Sequence, residues 1–203
     1  MVESNVKLFG KWSWEGITIR DESLKDFICL RPIYVPWLSQ GRHAKKRFGK
    51  AQVNIVERLV NKLALTGHLG TKEHKRTSGR NVGKKQMLCW FLEKAFDYIY
   101  EQTKENPIQV LVRAVENAAP LEEIVLIEVG GIRYPKAVDV SPQRRVDLAL
   151  KWIATGAYHK SISTKRPFWL CLAEEILYAS KRDMKSWAIQ KRFEIERQAA
   201  AAR

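Results

Sequence analysis

Apolar residues recur three and four positions apart in several segments of the chain, a pattern typical of amphipathic α-helices. Asn54, with Glu57 three residues later, predicts the start of one helix, and Lys84-Lys85 begin a second. Asn106-Pro107 and Ser141-Pro142 predict two more starts, because an N-cap residue followed by proline suits the first helical turn. The apolar stripes of these four helices are Ile55, Val56, Leu59, Val60 and Leu63; Leu88, Phe91, Leu92, Ala95 and Ile99; Leu111, Ala114, Val115 and Ala118; and Val146, Ala149, Leu150 and Ile153.

The same pattern predicts the outer faces and the ends of the helices. The first helix is expected to expose Arg58 and Lys62, and the fourth is expected to end at Gly156, before a polar and basic connection. Pro167 predicts the start of a fifth helix. A last, highly charged helix begins at about Ser186, and its narrow apolar edge predicts that it docks lightly and projects. That edge consists of Ile189, Phe193 and Ile195.

Between the third and fourth helices, residues 124–140 alternate in the manner of two strands around a Gly130-Gly131 turn, which supplies the positive φ values of a tight hairpin. This turn pairs Glu128 with Arg133 and Ile127 with Tyr134. An isolated two-stranded ribbon is marginal in water, so the arm is expected to lie on its own helices, another protein or a nucleic acid. Its predicted apolar face is Val125, Ile127, Val129, Ile132, Tyr134, Val138 and Val140.

These elements predict a mainly α protein: a single helical-bundle domain of about six helices with a protruding two-stranded β-hairpin arm. Residues 1–203 form the domain, with an irregular N-terminal tail at 1–20, the arm at 124–140 and the projecting C-terminal helix at 186–203. Phe9, Trp12 and Trp14 in the tail have two possible uses, base stacking or anchoring, and we expect them to anchor it to the core.

Composition restricts the class of protein. The chain has 203 residues, 45% of them hydrophobic, with no apolar run of 18 residues and no pattern of a secretory signal. Cys29, Cys89 and Cys171 are odd in number and widely spaced. They are expected to be free thiols in a reducing compartment rather than a disulfide framework or a zinc site.

The positive charge of the chain is concentrated in one region. The formal net charge is +14, and residues 41–85 hold 13 Lys or Arg against Glu57 and Glu73, which leaves only +3 for the other residues. Such a concentration favours a polyanion-binding surface. The alternative is a solvated basic face that keeps the protein soluble.

Catalytic and metal-binding patterns are missing from the sequence. Gly79–Lys85 resembles a phosphate-binding loop, but it is one residue short and has Lys85 where a Ser or Thr should bind the metal. The four histidines lack metal-ligand spacing, and no nucleophile motif is present. We therefore expect no enzyme activity, no cofactor and no metal.

Several features point to a nucleic acid. The basic loop entering a helix at Lys84-Lys85 offers main-chain donors and a positive dipole to a phosphate. Arg144 and Arg145 oppose the dipole of their helix, so either an anionic partner or an ion pair with Asp139 or Asp147 would compensate them. The arm is expected to face a nucleic acid with the edge that carries its cations, and spacing alone does not separate RNA from DNA. These arm residues are Arg133, Tyr134 and Lys136.

The chain resembles a universal family of small-subunit ribosomal proteins, called S-seven in bacterial and S-five in eukaryotic cytosolic numbering. The resemblance is to the archaeal and eukaryotic branch, and one departure is Gly67–Ser78, which is expanded and rich in His, Lys and Thr. The stretches that carry it are KLFGKW, GRHAKKRFGKAQVNIVERLVNKL, GRNVGKKQ, ENPIQVLVRAVENAAP, VGGIRYPKAVDVSPQRRVDLAL and AIQKRFEIER.

The resemblance implies a cytoplasmic ribosomal protein that binds the 3′ major domain of small-subunit rRNA and nucleates assembly of the head. It implies an arm near the exit-site tRNA and mRNA, contacts with neighbouring head and platform proteins, no membrane and no homo-oligomer. The RNA-contacting residues that it implies are Arg42, Lys45, Lys46, Arg47 and Lys50; Arg80, Lys84 and Lys85; and Arg144 and Arg145. The arm tip that it implies is Gly130, Gly131, Ile132, Arg133 and Tyr134, with Lys136 beside it.

Two other functions are compatible with parts of the pattern. An architectural DNA-binding protein could insert a β-ribbon arm into a groove and bend the duplex. An RNA-modifying enzyme would also need a basic surface, but it is disfavoured because the sequence lacks a catalytic site.

Overall fold

The computed structural model describes residues 6–36, 39–67 and 80–203, with the side chain of Val129 excepted. Within them the chain forms six α-helices and one antiparallel two-stranded sheet, which confirms the predicted fold class. The expanded segment Gly67–Ser78 lies outside the described residues from position 68 onward. The helices are α1 (Ile55–Leu63), α2 (Lys85–Thr103), α3 (Pro107–Ala118), α4 (Pro142–Thr164), α5 (Phe168–Ser180) and α6 (Trp187–Ala201), and the strands are β1 (Glu122–Val129) and β2 (Ile132–Asp139).

Two of the predicted helix starts carry the expected side-chain caps. Asn54 accepts a hydrogen bond from the backbone N–H of Val56 at 2.8 Å, and Asn106 accepts one from Ile108 at 3.0 Å. Each cap satisfies a donor that the first turn of a helix leaves unpaired. Pro107 occupies the first turn of α3, as predicted.

The core lies where α2, α3, α4 and α5 pack together, with α1 and the N-terminal segment closing its sides. The predicted apolar stripes are buried, apart from Phe91, which is half-buried. Phe96 is fully buried although the predicted stripe of α2 omits it, because α2 contacts α1, α3 and α5 and is therefore covered over a wider arc than one stripe.

The aromatic N-terminal segment is anchored to this core, as predicted. Trp14 is buried, and its indole N–H donates to the carbonyl oxygen of Ile33 at 3.3 Å. The Trp12 ring lies 5.2 Å from that of Tyr100 on α2. Lys11 forms an ion pair with Asp97 at 2.9 Å.

The prediction that α1 exposes Arg58 and Lys62 is wrong. The Arg58 side chain is only 4% exposed, and its guanidinium donates to the carbonyl oxygen of Phe27 at 2.7 Å and to Asp147 at 3.4 Å. Lys62 lies 3.4 Å from the same carboxylate and is mostly covered. Helix α4 packs on this face of α1, and its Asp147 provides the counter-charge that a sequence pattern cannot reveal.

The prediction that the fourth helix ends at Gly156 is also wrong, because α4 continues to Thr164. A Cβ at Gly156 would lie 2.6 Å from Cβ of Trp187 and 3.0 Å from Oε1 of Glu175. Glycine is required here for the close approach of α4, α5 and the start of α6, not for a helix stop.

The C-terminal helix α6 contacts α4 and both strands of the arm, so it docks more closely than its narrow apolar edge predicted. Ala188 and Ala199 are fully buried, whereas Phe193 is exposed. Small residues allow the helix axes to approach, and a count of large apolar residues misses them. Glu196 of α6 also accepts the backbone N–H of Leu121, just before the arm, at 3.1 Å.

A buried carboxylate fixes the start of α6. Glu175 is 1% exposed and accepts hydrogen bonds from the Ser186 hydroxyl at 2.7 Å and the Ala188 N–H at 3.0 Å. Burial raises the pKa of Glu175, and these hydrogen bonds oppose the shift only in part. A raised pKa contributes stability that is present below the unfolded pKa and is lost as the pH rises through the folded pKa.

We therefore predict that Glu175→Gln becomes more stable relative to the wild type as the pH rises from about 4.5 to 7. Glutamine keeps an acceptor oxygen for Ser186 and Ala188 and removes the buried charge. Urea unfolding at several pH values measures the difference, and Glu175→Ala is the control that should be less stable throughout because both donors lose their acceptor. A stability difference that shrinks with rising pH would contradict the assignment.

Candidate nucleic-acid interface

The first basic segment, residues 42–50, folds into two successive 3-10 turns instead of an open loop. The turns span Arg42–Lys45 and Gly49–Gln52. A Cβ at Gly49 would lie 2.3 Å from the carbonyl oxygen of His43, so only glycine allows this close approach. The segment therefore presents its side chains from a compact backbone.

The five cations predicted in this segment are all exposed. The Arg47 guanidinium lies over the Phe48 ring, 5.1 Å from its centre, and Lys50 lies 3.2 Å from Asp147. Within the described residues, Lys45, Lys46 and Arg47 have no carboxylate partner. Their charge is therefore available to an external anion. The five residues are Arg42, Lys45, Lys46, Arg47 and Lys50.

The second predicted basic group divides into exposed and inward-facing residues. Arg80 and Lys84 are exposed, and Lys84 stands at the N-cap of α2, where backbone N–H groups and the helix dipole favour an anion. Lys85 instead forms an ion pair with the buried Glu57 at 3.2 Å. Glu57 also accepts the backbone N–H and the hydroxyl of Ser39, so Lys85 helps to hold residues that precede the first basic segment.

The arginine pair at the start of α4 also divides. Arg144 is exposed and forms an ion pair with Glu123 of the arm at 2.8 Å. Arg145 is buried, and its three guanidinium nitrogens donate to the carbonyl oxygen of Pro120, to Ser23 at 2.5 Å and to Asp21 at 2.8 Å. The assignment of Arg145 to RNA contact thus conflicts with its geometry, because its donors already have internal acceptors.

The ion-pair alternative for these arginines holds, but with different partners. The sequence offered Asp139 and Asp147, and the structure gives Glu123 and Asp21. Asp147 pairs instead with α1 and the first basic segment. Burial tends to raise the pKa of Asp147, but the charges of Lys62, Arg58 and Lys50 outweigh it and lower the pKa.

The arm forms with the predicted register. Gly130 and Gly131 have φ values of +60° and +83°, and Glu128 faces Arg133 with an ion pair of 3.3 Å. Lys136 faces Val125, so it lies on the opposite face of the ribbon from Arg133. Both cations therefore share the β2 edge of the arm but lie on its two different faces.

The outer part of the arm is apolar and uncovered. Leu126 is 63% exposed and Ile132 is 59% exposed. The arm contacts the helices chiefly through α6, and Glu123 at its base also pairs with Arg144 of α4. Two-stranded ribbons with exposed apolar side chains gain stability only when a further surface covers them. The other large apolar residues exposed on the arm are Val125, Ile127 and Tyr134.

The first basic segment and the arginine pair converge on the start of α4 although they are far apart in sequence. Lys50 reaches Asp147, Arg144 reaches the arm at Glu123, and Arg145 ties the helix to Asp21. The first basic segment, the α4 start and the arm base thus share one region of the molecule. Sequence reasoning missed Arg58 and Lys62, which belong to this charge cluster, because helical periodicity placed them on an outer face.

The described residues include no group of three or more His, Cys, Asp or Glu residues able to hold a metal ion. None of their helices is long and apolar enough to cross a membrane. The three cysteines are free thiols, and Cys89 and Cys171 are buried, in agreement with the sequence prediction.

Comparison with known proteins gives consistent matches over almost the whole chain. The family model described as "Ribosomal protein S7p/S5e" matches residues 32–203. "Small ribosomal subunit protein uS7" of Nanoarchaeum equitans is 50% identical over 200 residues, which cover 98% of this chain and 99% of that protein. The protein of the same name from Methanothrix thermoacetophila is 46% identical over 198 residues, which cover 98% of this chain and 100% of that protein.

Proposed function

The chain belongs to the ribosomal protein S7p/S5e family, and from that premise we propose that it binds the 3′ major domain of small-subunit rRNA and nucleates assembly of the subunit head. Its role in the small ribosomal subunit is structural and not enzymatic. Its proposed partners are this RNA and the neighbouring proteins of the head and platform.

The observation that carries the RNA proposal is the convergence of exposed cations around the start of α4. Lys45, Lys46 and Arg47 have no carboxylate partner within the described residues, and Arg144 lies on the same side as the arm base. A basic surface kept only for solubility would not need a folded segment with a glycine-dependent close approach. The exposed cations assigned to RNA are Arg42, Lys45, Lys46, Arg47, Lys84 and Arg144.

The mechanism is phosphate neutralisation combined with recognition of RNA shape. Each lysine or arginine that contacts a phosphate releases a condensed counterion, so affinity falls as the salt concentration rises. The major groove of an RNA helix is too deep and narrow for side chains to read, so the protein would recognise the RNA through backbone geometry and unpaired segments. No base-specific side chain is required for this mode.

A salt titration tests the proposal directly. With about six phosphate contacts, the logarithm of the binding constant for a 3′ major-domain RNA fragment should fall with a slope of about −4 to −5 against the logarithm of salt concentration. Fluorescence anisotropy at several salt concentrations measures this slope. A slope near zero would reject phosphate neutralisation by these residues.

The arm has a separate proposed role near the exit-site tRNA and the mRNA path. Its outer part is exposed and apolar, and its contacts with the helices are chiefly those with α6 and the Glu123–Arg144 ion pair at its base. An assembled subunit would provide the surface that an isolated ribbon lacks. In this proposal the basic body binds the RNA, and the arm reaches the ligands of the assembled subunit.

Shortening the arm should therefore leave the fold intact. Deletion of Ile127–Val129 together with Ile132–Tyr134 makes Gly130-Gly131 join Leu126 and Pro135, which are already paired in the native register. We expect an unchanged helical circular-dichroism signal and nearly unchanged rRNA affinity, since the described side chains among the removed residues are exposed. Exit-site tRNA binding by subunits that contain the variant should weaken. Loss of helical signal would show instead that the arm tip is part of the core.

A further inference from the structure

A charged pocket lies between the first basic segment, the C-terminal half of α1 and the second turn of α4. Its polar lining is unusual because five side chains able to donate a hydrogen bond or carry positive charge surround a single acid. None of its residues except Lys50 belongs to the RNA-binding set that the sequence predicts. The polar lining residues are His43, Lys50, Arg58, Asn61, Lys62 and Asp147.

The charges in this pocket do not balance. Asp147 lies 3.2 Å from Lys50, 3.4 Å from Arg58 and 3.4 Å from Lys62. It is the only acid in the described lining, so one negative charge faces three positive charges. Arg58 is 4% exposed and Lys62 is 23% exposed, so solvent screens them only in part.

Two nitrogen atoms of the pocket-lining residues also lack hydrogen-bond partners among the described residues. Nε of Arg58 and Nδ1 of His43 are buried, and neither has a hydrogen-bond partner within the described part of the chain. An unsatisfied buried donor is costly, and such groups in a folded protein call for an explanation. An oxyanion with several acceptor oxygens would satisfy donors and charge together.

The lowered pKa of Lys62 agrees with this excess of positive charge. Burial lowers the pKa of Lys62, and Asp147 offsets this only in part because Lys50 and Arg58 repel the same ammonium group. The single carboxylate is shared among three cations and cannot fully compensate any of them. A second anion in the pocket would stabilise all three.

We propose that this pocket binds one phosphate group of the RNA backbone, held by Lys50, Lys62 and the Arg58 guanidinium. The inference rests on the proposed rRNA-binding function and adds a defined, partly enclosed phosphate position to it. RNA is the expected source of the phosphate because the pocket adjoins the exposed cations of the first basic segment, which would guide the backbone toward it.

Two substitutions should have opposite effects on anion binding. Lys62→Gln removes one of the cations, so it should weaken phosphate binding. Asp147→Asn removes the competing acid and leaves three cations, so it should strengthen phosphate binding while lowering the stability of the empty protein. If the cluster were only a structural ion pair, both substitutions would lower stability and neither would change anion binding.

The first experiment measures binding of the 3′ major-domain RNA fragment in a salt titration. Lys62→Gln should bind several-fold more weakly with a slope about 0.7–0.9 shallower, as for one lost phosphate contact. Asp147→Asn should bind more tightly. Lys94→Gln is the matched control, because Lys94 is exposed on α2 and lies over the Trp90 ring, outside the pocket.

The second experiment uses inorganic phosphate and no RNA. The unfolding midpoint is measured in phosphate and in chloride at equal ionic strength. The rise in midpoint caused by phosphate should be smaller for Lys62→Gln than for Lys94→Gln, and larger for Asp147→Asn. Failure of the wild type to bind the RNA would reject the rRNA function, and the phosphate experiment would still test the pocket by itself. If Lys62→Gln and Lys94→Gln have the same RNA affinity and the same rise in unfolding midpoint in phosphate, the pocket is rejected as an anion site. If they differ only in inorganic phosphate, the RNA backbone is rejected as its ligand.

Discussion

Replacing Lys45, Lys46 and Arg47 together by glutamine lowers the affinity for the 3′ major-domain RNA fragment on the order of 100-fold at low salt. Each lost contact between a cation and a phosphate costs about 1 kcal/mol or more, and the three losses are roughly additive. The salt slope should also become shallower by about 2–3. Binding by fluorescence anisotropy at several salt concentrations measures both quantities.

This triple variant should fold normally, because the three side chains are exposed and have no carboxylate partner within the described residues. The matched control neutralises three exposed lysines elsewhere, Lys94, Lys151 and Lys181, and therefore has the same net charge. An equal loss of affinity in both triple variants would mean that net charge alone drives binding. That result would contradict a localised RNA-binding segment.

Replacing Arg145 by glutamine lowers the free energy of unfolding by about 2–3 kcal/mol. Removal of one partner from a buried ion pair leaves an uncompensated charge, and the partial exposure of Asp21 reduces the cost of leaving it unpaired. The carbonyl oxygen of Pro120 and the hydroxyl of Ser23 also lose a donor. Urea unfolding followed by circular dichroism measures the change.

Arg144→Gln is the natural comparison, since the two arginines are adjacent in sequence and differ in burial. The exposed pair of Arg144 with Glu123 contributes under about 1 kcal/mol, so this variant should remain stable while its RNA affinity falls several-fold. A stable Arg145→Gln variant with reduced RNA affinity would reverse the assignment and restore Arg145 to the RNA-binding set.

Local sequence signals predicted most of the secondary structure. Asn54 and Asn106 cap their helices by hydrogen bonds that involve only neighbouring residues, and Gly130-Gly131 fixes the register of the arm through its own φ values. These interactions join residues that are only a few positions apart in the chain. Helix starts and the hairpin turn could therefore be predicted without knowledge of the tertiary structure.

The errors arise where contacts between distant segments decide the outcome. Glycine is typical of helix ends, which is why the sequence predicts that the helix ends at Gly156. Trp187 and Glu175 approach it so closely that glycine is needed inside the helix. Arg58 fits an outer helical face, but Asp147 lies opposite it, 89 positions away in sequence. The period of a single helix carries no information about which helix will pack against it.

In the candidate site, too, features set by local sequence could be predicted, and features set by contacts between distant segments could not. Exposed loop cations such as Lys45 and Lys46 could be predicted from charge clustering and glycine content, because a loop of this composition has no way to bury them. Arg145 could not be separated from Arg144 in this way. Their difference depends on Asp21 and Pro120, which the fold alone brings to the start of α4.

Competition binding tests the central claim most directly, namely that this protein recognises folded small-subunit rRNA. A labelled 3′ major-domain RNA fragment is bound to the wild-type protein at moderate salt, about 0.1–0.2 M, and displaced either by the same unlabelled RNA or by a random DNA duplex of equal length. We expect the RNA to compete at a concentration at least about 100-fold lower than the DNA, since shape recognition requires the RNA fold. Equal or better competition by the duplex DNA would contradict the account.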